Sequence, residues 1–156
     1  MIASCMKRQV VSVALDTTAE EAARLVVLHH IGTLPVIDKQ GVLVGIVRLQ
    51  DLLQVFMPDF VALLDNIDFI PSFGAVEVLH PEDLPGARTR TMRELMQAPI
   101  AVEQTSGLLR ALAALSKHQL ADLPVVNDTG ALVGIASRVD IAAEFLAGWL
   151  QPVPPQ

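Results

Sequence analysis

Two aspartates stand at matching places in this chain, each a few residues after the same apolar phrase, LVGI. Asp51 ends "LVGIVRLQD" and Asp140 ends "LVGIASRVD", and the residue three before the acid is Arg48 in one copy and Ser137 in the other. An ionised carboxylate accepts two hydrogen bonds at once, so such an acid suits a pair of hydroxyl groups. An aspartate at the start of a helix is also a good N-cap, worth ~1 kcal/mol, and the two roles are compatible.

Few other residues have the type and spacing of catalytic or metal-binding residues. Cys5 is the single cysteine and lies near the terminus, where a lone thiol is usually incidental. His29 and His118 recur at matching positions, which raises the hypothesis of a metal, but neither has a second ligand in a His-x-x-x-His pattern. Cationic histidine is in any case favourable near a helix C-terminus. No nucleophile–base set, P-loop or GxGxxG is present, so we expect neither catalysis nor a metal centre.

The composition narrows the class of protein. A hydrophobic fraction of 52% in 156 residues favours one compact domain or two small, closely packed ones. The 17 acidic residues outnumber 11 Lys and Arg, which disfavours nucleic-acid binding but is compatible with a small anionic ligand. No apolar run reaches the roughly 18 residues that span a bilayer, and no signal peptide is evident. With one cysteine, these features predict a cytoplasmic protein that binds neither nucleic acid nor membrane.

The chain contains an internal repeat. A shift of 89 positions aligns residues 11–53 with 100–142 without a gap, and nine of the 18 positions in 34–51 and 123–140 are identical. Two copies are too few for a solenoid. The repeat therefore predicts two like units packed around a pseudo-twofold axis.

Each copy predicts the same order of elements. A short strand at 10–14 or 99–103 precedes a helix, which Thr18 begins in the first copy as the capping box Thr18-x-x-Glu21. Ser106 is the predicted cap in the second copy. The phrases "LPVID" and "LPVVN" then predict strands, "DKQG" and "NDTG" turns, and "VLVGIV" and "ALVGIA" buried strands. A second helix is expected to begin at each aspartate.

This unit, with the pattern h-P-V-h-[DN]…G-x-L-V-G-I-h-x-x-x-D-h, resembles the cystathionine-β-synthase (CBS) domain, and two in tandem resemble a Bateman module. The resemblance covers residues 5–57 and 94–150, and it includes the starts "CMKRQVVSV" and "LMQAPIAV". It implies an α/β fold of the α+β type, with two β-α-β-β-α repeats packed with pseudo-twofold symmetry. Each repeat would hold a three-stranded sheet and two helices, and the pair would leave two related clefts.

The resemblance also implies a function. The clefts of this family commonly bind AMP, ADP, ATP, S-adenosylmethionine or sometimes dinucleotides, and do no chemistry on them. This chain would then be a regulatory, energy-sensing module with no required cofactor, forming a homodimer and passing a ligand-induced change to a regulated partner. The alternative is an interaction or dimerisation module with degenerate clefts, which Arg48 favours and the pair Ser137 and Asp140 disfavours.

The family's [ST]-x-x-D motif implies a ribose site. The second copy keeps it as Ser137-Arg138-Val139-Asp140, whereas the first reads Arg48-Leu49-Gln50-Asp51. In the first copy, the long cation would block the ribose slot or reach toward a phosphate. We therefore expect unequal clefts, with the one containing Asp140 the better nucleoside site.

Other cleft residues are implied in the same way. The stretches before the strand prolines, Gly32-Thr33-Leu34-Pro35 and Ala121-Asp122-Leu123-Pro124, would read the adenine edge through their backbone, although Leu34 and Leu123 also suit a core. Further polar contacts are implied at 14–18 and 103–107, where Thr18 is equally a helix cap. Cations for a phosphate, each equally suited to a solvated surface, would be Arg138, Lys117, Arg110 and Arg48.

The predicted boundaries are 1–57 for repeat 1, 58–91 for an insert, 92–150 for repeat 2 and 151–156 for a disordered tail. The insert contains "PDFVALLDNIDFIPSFG", which predicts an amphipathic helix capped by Asp59. Its apolar face would cover the module's own open edge, or else dock a partner or a second protomer.

Overall fold

The computed structural model of the protein describes residues 1–56 and 84–150. The predicted helix of the insert, its cap Asp59 and the tail 151–156 lie outside those residues. After a 3-10 turn at Ile2–Ser4, the elements are β1 Val13–Ala14, α1 Ala19–His29, β2 Thr33–Ile37, β3 Leu43–Arg48, α2 Leu49–Phe56, α3 Met92–Leu95, β4 Val102–Glu103, α4 Leu108–His118, β5 Asp122–Val126, β6 Leu132–Ser137 and α5 Arg138–Leu150. The order β-α-β-β-α occurs twice, as predicted.

Each repeat forms a three-stranded sheet, in the orders β1-β2-β3 and β4-β5-β6. The first strand is parallel to the second, which is antiparallel to the third. The predicted fold class is confirmed. The first strands are shorter than predicted because parallel pairing is limited to two residues in each sheet, such as Val13 with Val36 and Ala14 with Ile37.

The hairpin turns have the predicted chemistry. Gly41 has φ +80° and Gly130 φ +81°, a region that glycine enters without steric cost. The two tips also pair with each other across the repeats: Leu43 N–H donates to the Gly130 carbonyl at 3.1 Å, and Leu132 N–H to the Gly41 carbonyl at 3.0 Å. The hairpin tips are therefore one of the contacts that join the repeats.

The helix starts confirm one predicted cap and correct others. Thr18 caps α1 in a capping box with Glu21. The prediction for Ser106 is wrong, because Gly107 is the N-cap of α4 and no side chain caps it. The expectation that α2 and α5 begin at the aspartates is also wrong, since these helices begin at Leu49 and Arg138 and the acids are their third residues.

The segments that lead into the repeats are exchanged between them. We call residues 1–7 the first lead-in segment and residues 92–97 the second. Lys7 pairs with Ile135 of β6, with N–O distances of 2.8 and 2.9 Å, whereas Gln97 pairs with Ile46 of β3 at 2.8 and 3.2 Å. Each lead-in segment thus extends the sheet of the other repeat.

Side-chain packing follows the same exchange. Ile2 and Met6 belong to the core around Leu123 of the second sheet, and Met92 and Leu95 belong to the core around Leu34 of the first. The glycines of the two LVGI phrases leave room for this approach. A Cβ at Gly134 would lie 2.6 Å from Met6 Sδ, and one at Gly45 would lie 2.5 Å from Met96 Sδ. Neither repeat therefore completes its core without the other.

Candidate ligand-binding clefts

The first residues of β2 and β5 meet at the seam between the repeats. Thr33 is buried, and its Oγ1 accepts a hydrogen bond from the Asp122 N–H at 3.4 Å. In the sheets, Thr33 lies opposite Arg48 and Asp122 opposite Ser137. The seam therefore brings together residues from the two stretches before the strand prolines, which the sequence analysis predicts to line the clefts.

We give the name second cleft to the site formed by Lys7, Asp122, Ser137 and Asp140, after the predicted cleft that contains Asp140. Ser137 Oγ donates to Asp140 Oδ2 at 2.7 Å, and the Ser137 N–H donates to the same oxygen at 3.1 Å. In return, Ser137 Oγ accepts from the Asp140 N–H at 3.1 Å. This reciprocal pair is a capping box that begins α5. The hydroxyl and the carboxylate that the motif predicts are thus in direct contact.

The carboxylate of Asp140 is partly open. Its side chain is 26% exposed, and Lys7 Nζ lies 3.4 Å from Oδ2. Among the residues that the structure describes, no hydrogen bond reaches Oδ1. The hydrogen bond from the Ser137 hydroxyl lowers the pKa of Asp140, which outweighs the opposing effect of burial. The structure therefore favours the ionised form of Asp140, and one of its oxygens has no hydrogen-bond partner within residues 1–56 and 84–150.

Lys7 comes from the first lead-in segment, so the second cleft draws residues from both repeats. Its side chain is 66% exposed. An ion pair this exposed is worth about 0–1 kcal/mol, and a ligand can displace it at little cost.

Asp122 differs electrostatically from Asp140. Burial raises the pKa of the Asp122 carboxyl, and the charge of Asp140 raises it further. Interaction with the Gly32 backbone and the charge of Lys7 act in the opposite direction. A second carboxyl group therefore lies within electrostatic reach of Lys7 and Asp140.

We define the first cleft by Thr33, Arg48, Asp51 and Gln97. Here Arg48 folds back on Asp51, with Nε 3.1 Å from Oδ2 and Nη2 3.0 Å from Oδ1. The Arg48 N–H also donates to Oδ2 at 2.9 Å. The side chains are 25% and 11% exposed, and the hydrogen bond to Asp51 raises the pKa of Arg48. Both carboxylate oxygens of Asp51 are therefore occupied by this chain's own guanidinium.

A cavity of about 720 Å³ adjoins Asp51. Its described walls come from α2, from the turn before α3 and from the second lead-in segment, and they include Gln54, Arg90, Glu94 and Gln97. Opposite charges are thus mixed on the walls of this cavity.

The remaining predicted residues are dispersed. Leu123 and Pro124 are buried in the second sheet, and Leu123 is 0% exposed. Thr18 is engaged in its capping box. Arg138 is exposed, and its Nη1 donates to Ser116 Oγ at 3.2 Å, away from Asp140.

Two further predicted segments meet in a smaller cavity. Glu103, Ser106 and Arg110 line a space of about 280 Å³ at the end of β4. Lys117 is exposed near the end of α4.

The sequence interpretation missed Lys7 and Gln97. Their signal was available, because "CMK" and "LMQ" match around Met6 and Met96 at a shift of 90, one residue more than the shift of the repeat. The exchange between repeats was not evident from that alignment. The first lead-in segment precedes repeat 1 but completes the core of repeat 2, and the second precedes repeat 2 but completes the core of repeat 1.

Cys5 and the metal-ligating side chains of the described residues bear on catalysis and metal binding. Burial raises the pKa of the Cys5 thiol, which disfavours the reactive thiolate. Within 1–56 and 84–150, no group of three or more His, Cys, Asp and Glu side chains could hold a metal ion. Over the same residues, none of the helices has the length and apolar character needed to cross a bilayer.

The family model for the CBS domain matches this chain twice, at residues 2–58 and 92–147. The chain belongs to the CBS domain family. It is 28% identical to a CBS domain-containing protein of Dictyostelium discoideum, over 100% of this chain and 97% of that protein. It is 33% identical to the chloroplastic CBS domain-containing protein CBSX1 of Arabidopsis thaliana, over 83% of this chain and 56% of that protein.

Solved structures share the fold. The CBS-pair protein CBSX2 of Arabidopsis thaliana has a TM-score of 0.73 at 24% identity, covering 97% of this chain and 98% of its own. A crystal structure of CBSX2 in complex with AMP has a TM-score of 0.68 at 24% identity, covering 95% and 97%. The CBS domain pair of protein MJ0100, in complex with 5′-methylthioadenosine and S-adenosyl-L-methionine, has a TM-score of 0.65 at 21% identity, covering 95% and 97%.

Proposed function

We propose that this protein is a regulatory module that binds an adenosine-containing ligand in the second cleft. The observation that carries the proposal is the difference between the two acids. Asp140 keeps an oxygen without a hydrogen-bond partner in the described residues, whereas Arg48 occupies both oxygens of Asp51. A ribose hydroxyl can donate to that open carboxylate oxygen, and the neighbouring complexes of CBS pairs contain AMP, 5′-methylthioadenosine and S-adenosyl-L-methionine.

Regulation follows from the shared construction of the cleft. A ligand shifts a protein between two arrangements only by the difference in its affinity for them. Because Asp122 of this cleft donates a hydrogen bond to Thr33 of the first repeat, binding there depends on how the repeats are arranged. We include in this proposal a cytoplasmic location and a regulated partner that senses this arrangement.

Thermal unfolding with AMP, ADP, ATP, S-adenosylmethionine and 5′-methylthioadenosine tests the proposal. A ligand at about one hundred times its Kd adds roughly 2.7 kcal/mol to the free energy of unfolding. Asp140→Asn is expected to abolish that gain. Asp128→Asn is the charge-matched control, because Asp128 is exposed in the turn at the opposite end of β5. A gain that persists in Asp140→Asn, or no gain with any ligand, contradicts the proposal.

A homodimer is the proposed assembly. Large apolar side chains are exposed at the end of α1, at Val27 and Leu28, and at the end of α5, at Trp149 and Leu150. Such side chains favour burial against another surface. Light scattering with Trp149→Lys checks this: the wild type is expected to be dimeric and the variant weakened, and a monomeric wild type would refute it.

A further inference from the structure

The two clefts carry different charge, although they come from one repeated sequence. The second has Asp122 where the first has Thr33, and Lys7 where the first has Gln97. Lys7 Nζ lies 3.4 Å from Asp140 Oδ2, and Asp122 lies opposite Ser137 in the sheet, so two carboxylates against one ammonium leave one negative charge in excess. In the first cleft, Arg48 and Asp51 neutralise each other.

We propose that the second cleft selects among adenosine-containing ligands by the charge on the 5′ substituent, with Asp122 as the selecting residue. A neutral thioether or a cationic sulfonium at that position is accepted, and a phosphate is disfavoured. This inference rests on the proposed function, because it takes the ribose to be held by Ser137 and Asp140.

The placement of Asp122 supports this role. It lies opposite Ser137 in the sheet, on the seam between the repeats. Its N–H donates to Thr33 Oγ1 at 3.4 Å, so its backbone is tied to the other repeat. Residues directly opposite each other in an antiparallel pair carry their side chains on one face of the sheet, about 5 Å apart between Cβ atoms, so the Asp122 carboxyl lies beside Ser137. Lys7 is the described cation that contacts Asp140, and that contact already offsets its charge. A phosphate entering the cleft therefore meets the Asp122 carboxylate and a lysine that is already paired.

The size of the effect follows from Coulomb's law. Two like unit charges about 8 Å apart, at an effective dielectric constant of about 20, repel enough to lower affinity about thirtyfold. Asp122 is partly exposed, and salt screens such charges, so we expect about a tenfold effect.

Titration calorimetry with 5′-methylthioadenosine, AMP and S-adenosylmethionine tests the inference. The first two share the nucleoside and differ in 5′ charge. We expect AMP to bind about tenfold more weakly than 5′-methylthioadenosine to the wild type. Asp122→Asn, which keeps the shape of the side chain, should remove most of this gap, whereas the control Asp128→Asn, at an exposed turn residue, should leave the gap unchanged. Lys7→Gln, which copies the residue of the first cleft, should widen the gap.

The outcomes separate the two proposals. If 5′-methylthioadenosine and AMP bind equally, or the gap is unchanged in Asp122→Asn, charge selection by Asp122 is overturned while the binding function stands. If no ligand binds, both proposals fail. Binding that is insensitive to Ser137→Ala lies outside the second cleft and also overturns the inference. Raising the salt concentration should shrink the gap between the two ligands.

Discussion

Replacing Gly134 by alanine tests whether the exchanged lead-in segments hold the repeats together. The new Cβ would lie 2.6 Å from Met6 Sδ and 3.1 Å from the Lys7 carbonyl oxygen. Met6 can turn the end of its side chain, but the Lys7 carbonyl is fixed by a hydrogen bond from the Ile135 N–H at 2.9 Å. Overpacking of this kind costs ~1–3 kcal/mol. At about 2–4 °C per kcal/mol for a chain of this size, we expect Tm to fall by about 2–12 °C.

Urea unfolding and thermal unfolding of purified variants measure this change. Gly148→Ala is the matched control: nothing lies within 4 Å of its added Cβ, and alanine in an exposed helix stabilises by up to about 1 kcal/mol. Met6→Ala removes the sulfur that the new methyl group meets. It should therefore cost less in the Gly134→Ala background than in the wild type, as a coupling in a double-mutant cycle. If Gly134→Ala unfolds like the wild type, or the cycle shows no coupling, the close approach at this glycine is refuted.

Four further predictions concern the clefts and caps. Arg48→Ser should free the Asp51 carboxylate in the first cleft, raising the stoichiometry of 5′-methylthioadenosine from one to two by calorimetry; an unchanged value would mean that the ion pair with Arg48 is not what prevents binding there. The pKa of Asp140 is lowered on folding, so its contribution to stability is full above the ordinary carboxyl pKa and is lost as the pH falls through the folded value. Stability of Asp140→Asn measured against pH should lack that acid loss, whereas the raised pKa of Asp122 predicts that Asp122→Asn raises Tm at neutral pH. Thr18→Ala removes the cap of α1 and should cost ~1 kcal/mol in urea unfolding; no loss would show that the capping box contributes nothing.

The elements predictable from the sequence are those fixed by local chemistry. The turns follow from Gly41 and Gly130, which must take positive φ, and from the Asp or Asn that begins each turn. The capping box of Thr18 depends on residues only three positions apart. The repeat also gave the order of strands, because the same alternation of apolar and turn residues occurs twice.

What the sequence did not predict depends on contacts between distant residues or on side-chain rotamers. The first lead-in segment reaches the sheet of the second repeat, and nothing local to Lys7 specifies Ile135 as its partner. For Arg48, the sequence left open a blocked slot or a reach toward phosphate, because a long side chain has many rotamers. In the structure, Arg48 forms an ion pair with Asp51, which lies only three residues further along, on the first turn of α2.

The exchange of lead-in segments gives a physical reason why a repeated sequence can yield unequal clefts. Each cleft combines the acid of one repeat with a lead-in residue of the other, so the pairs are Asp140 with Lys7 and Asp51 with Gln97. A substitution at an aspartate therefore changes the cleft of its own repeat, whereas a substitution in a lead-in segment changes the cleft of the other repeat. Ile2 and Met6 anchor the first lead-in segment in the core of the second repeat, and the Lys7 backbone is hydrogen-bonded to Ile135 of β6. Under the proposed function, the difference in affinity that regulation requires would therefore arise where this segment crosses from the first repeat to the second.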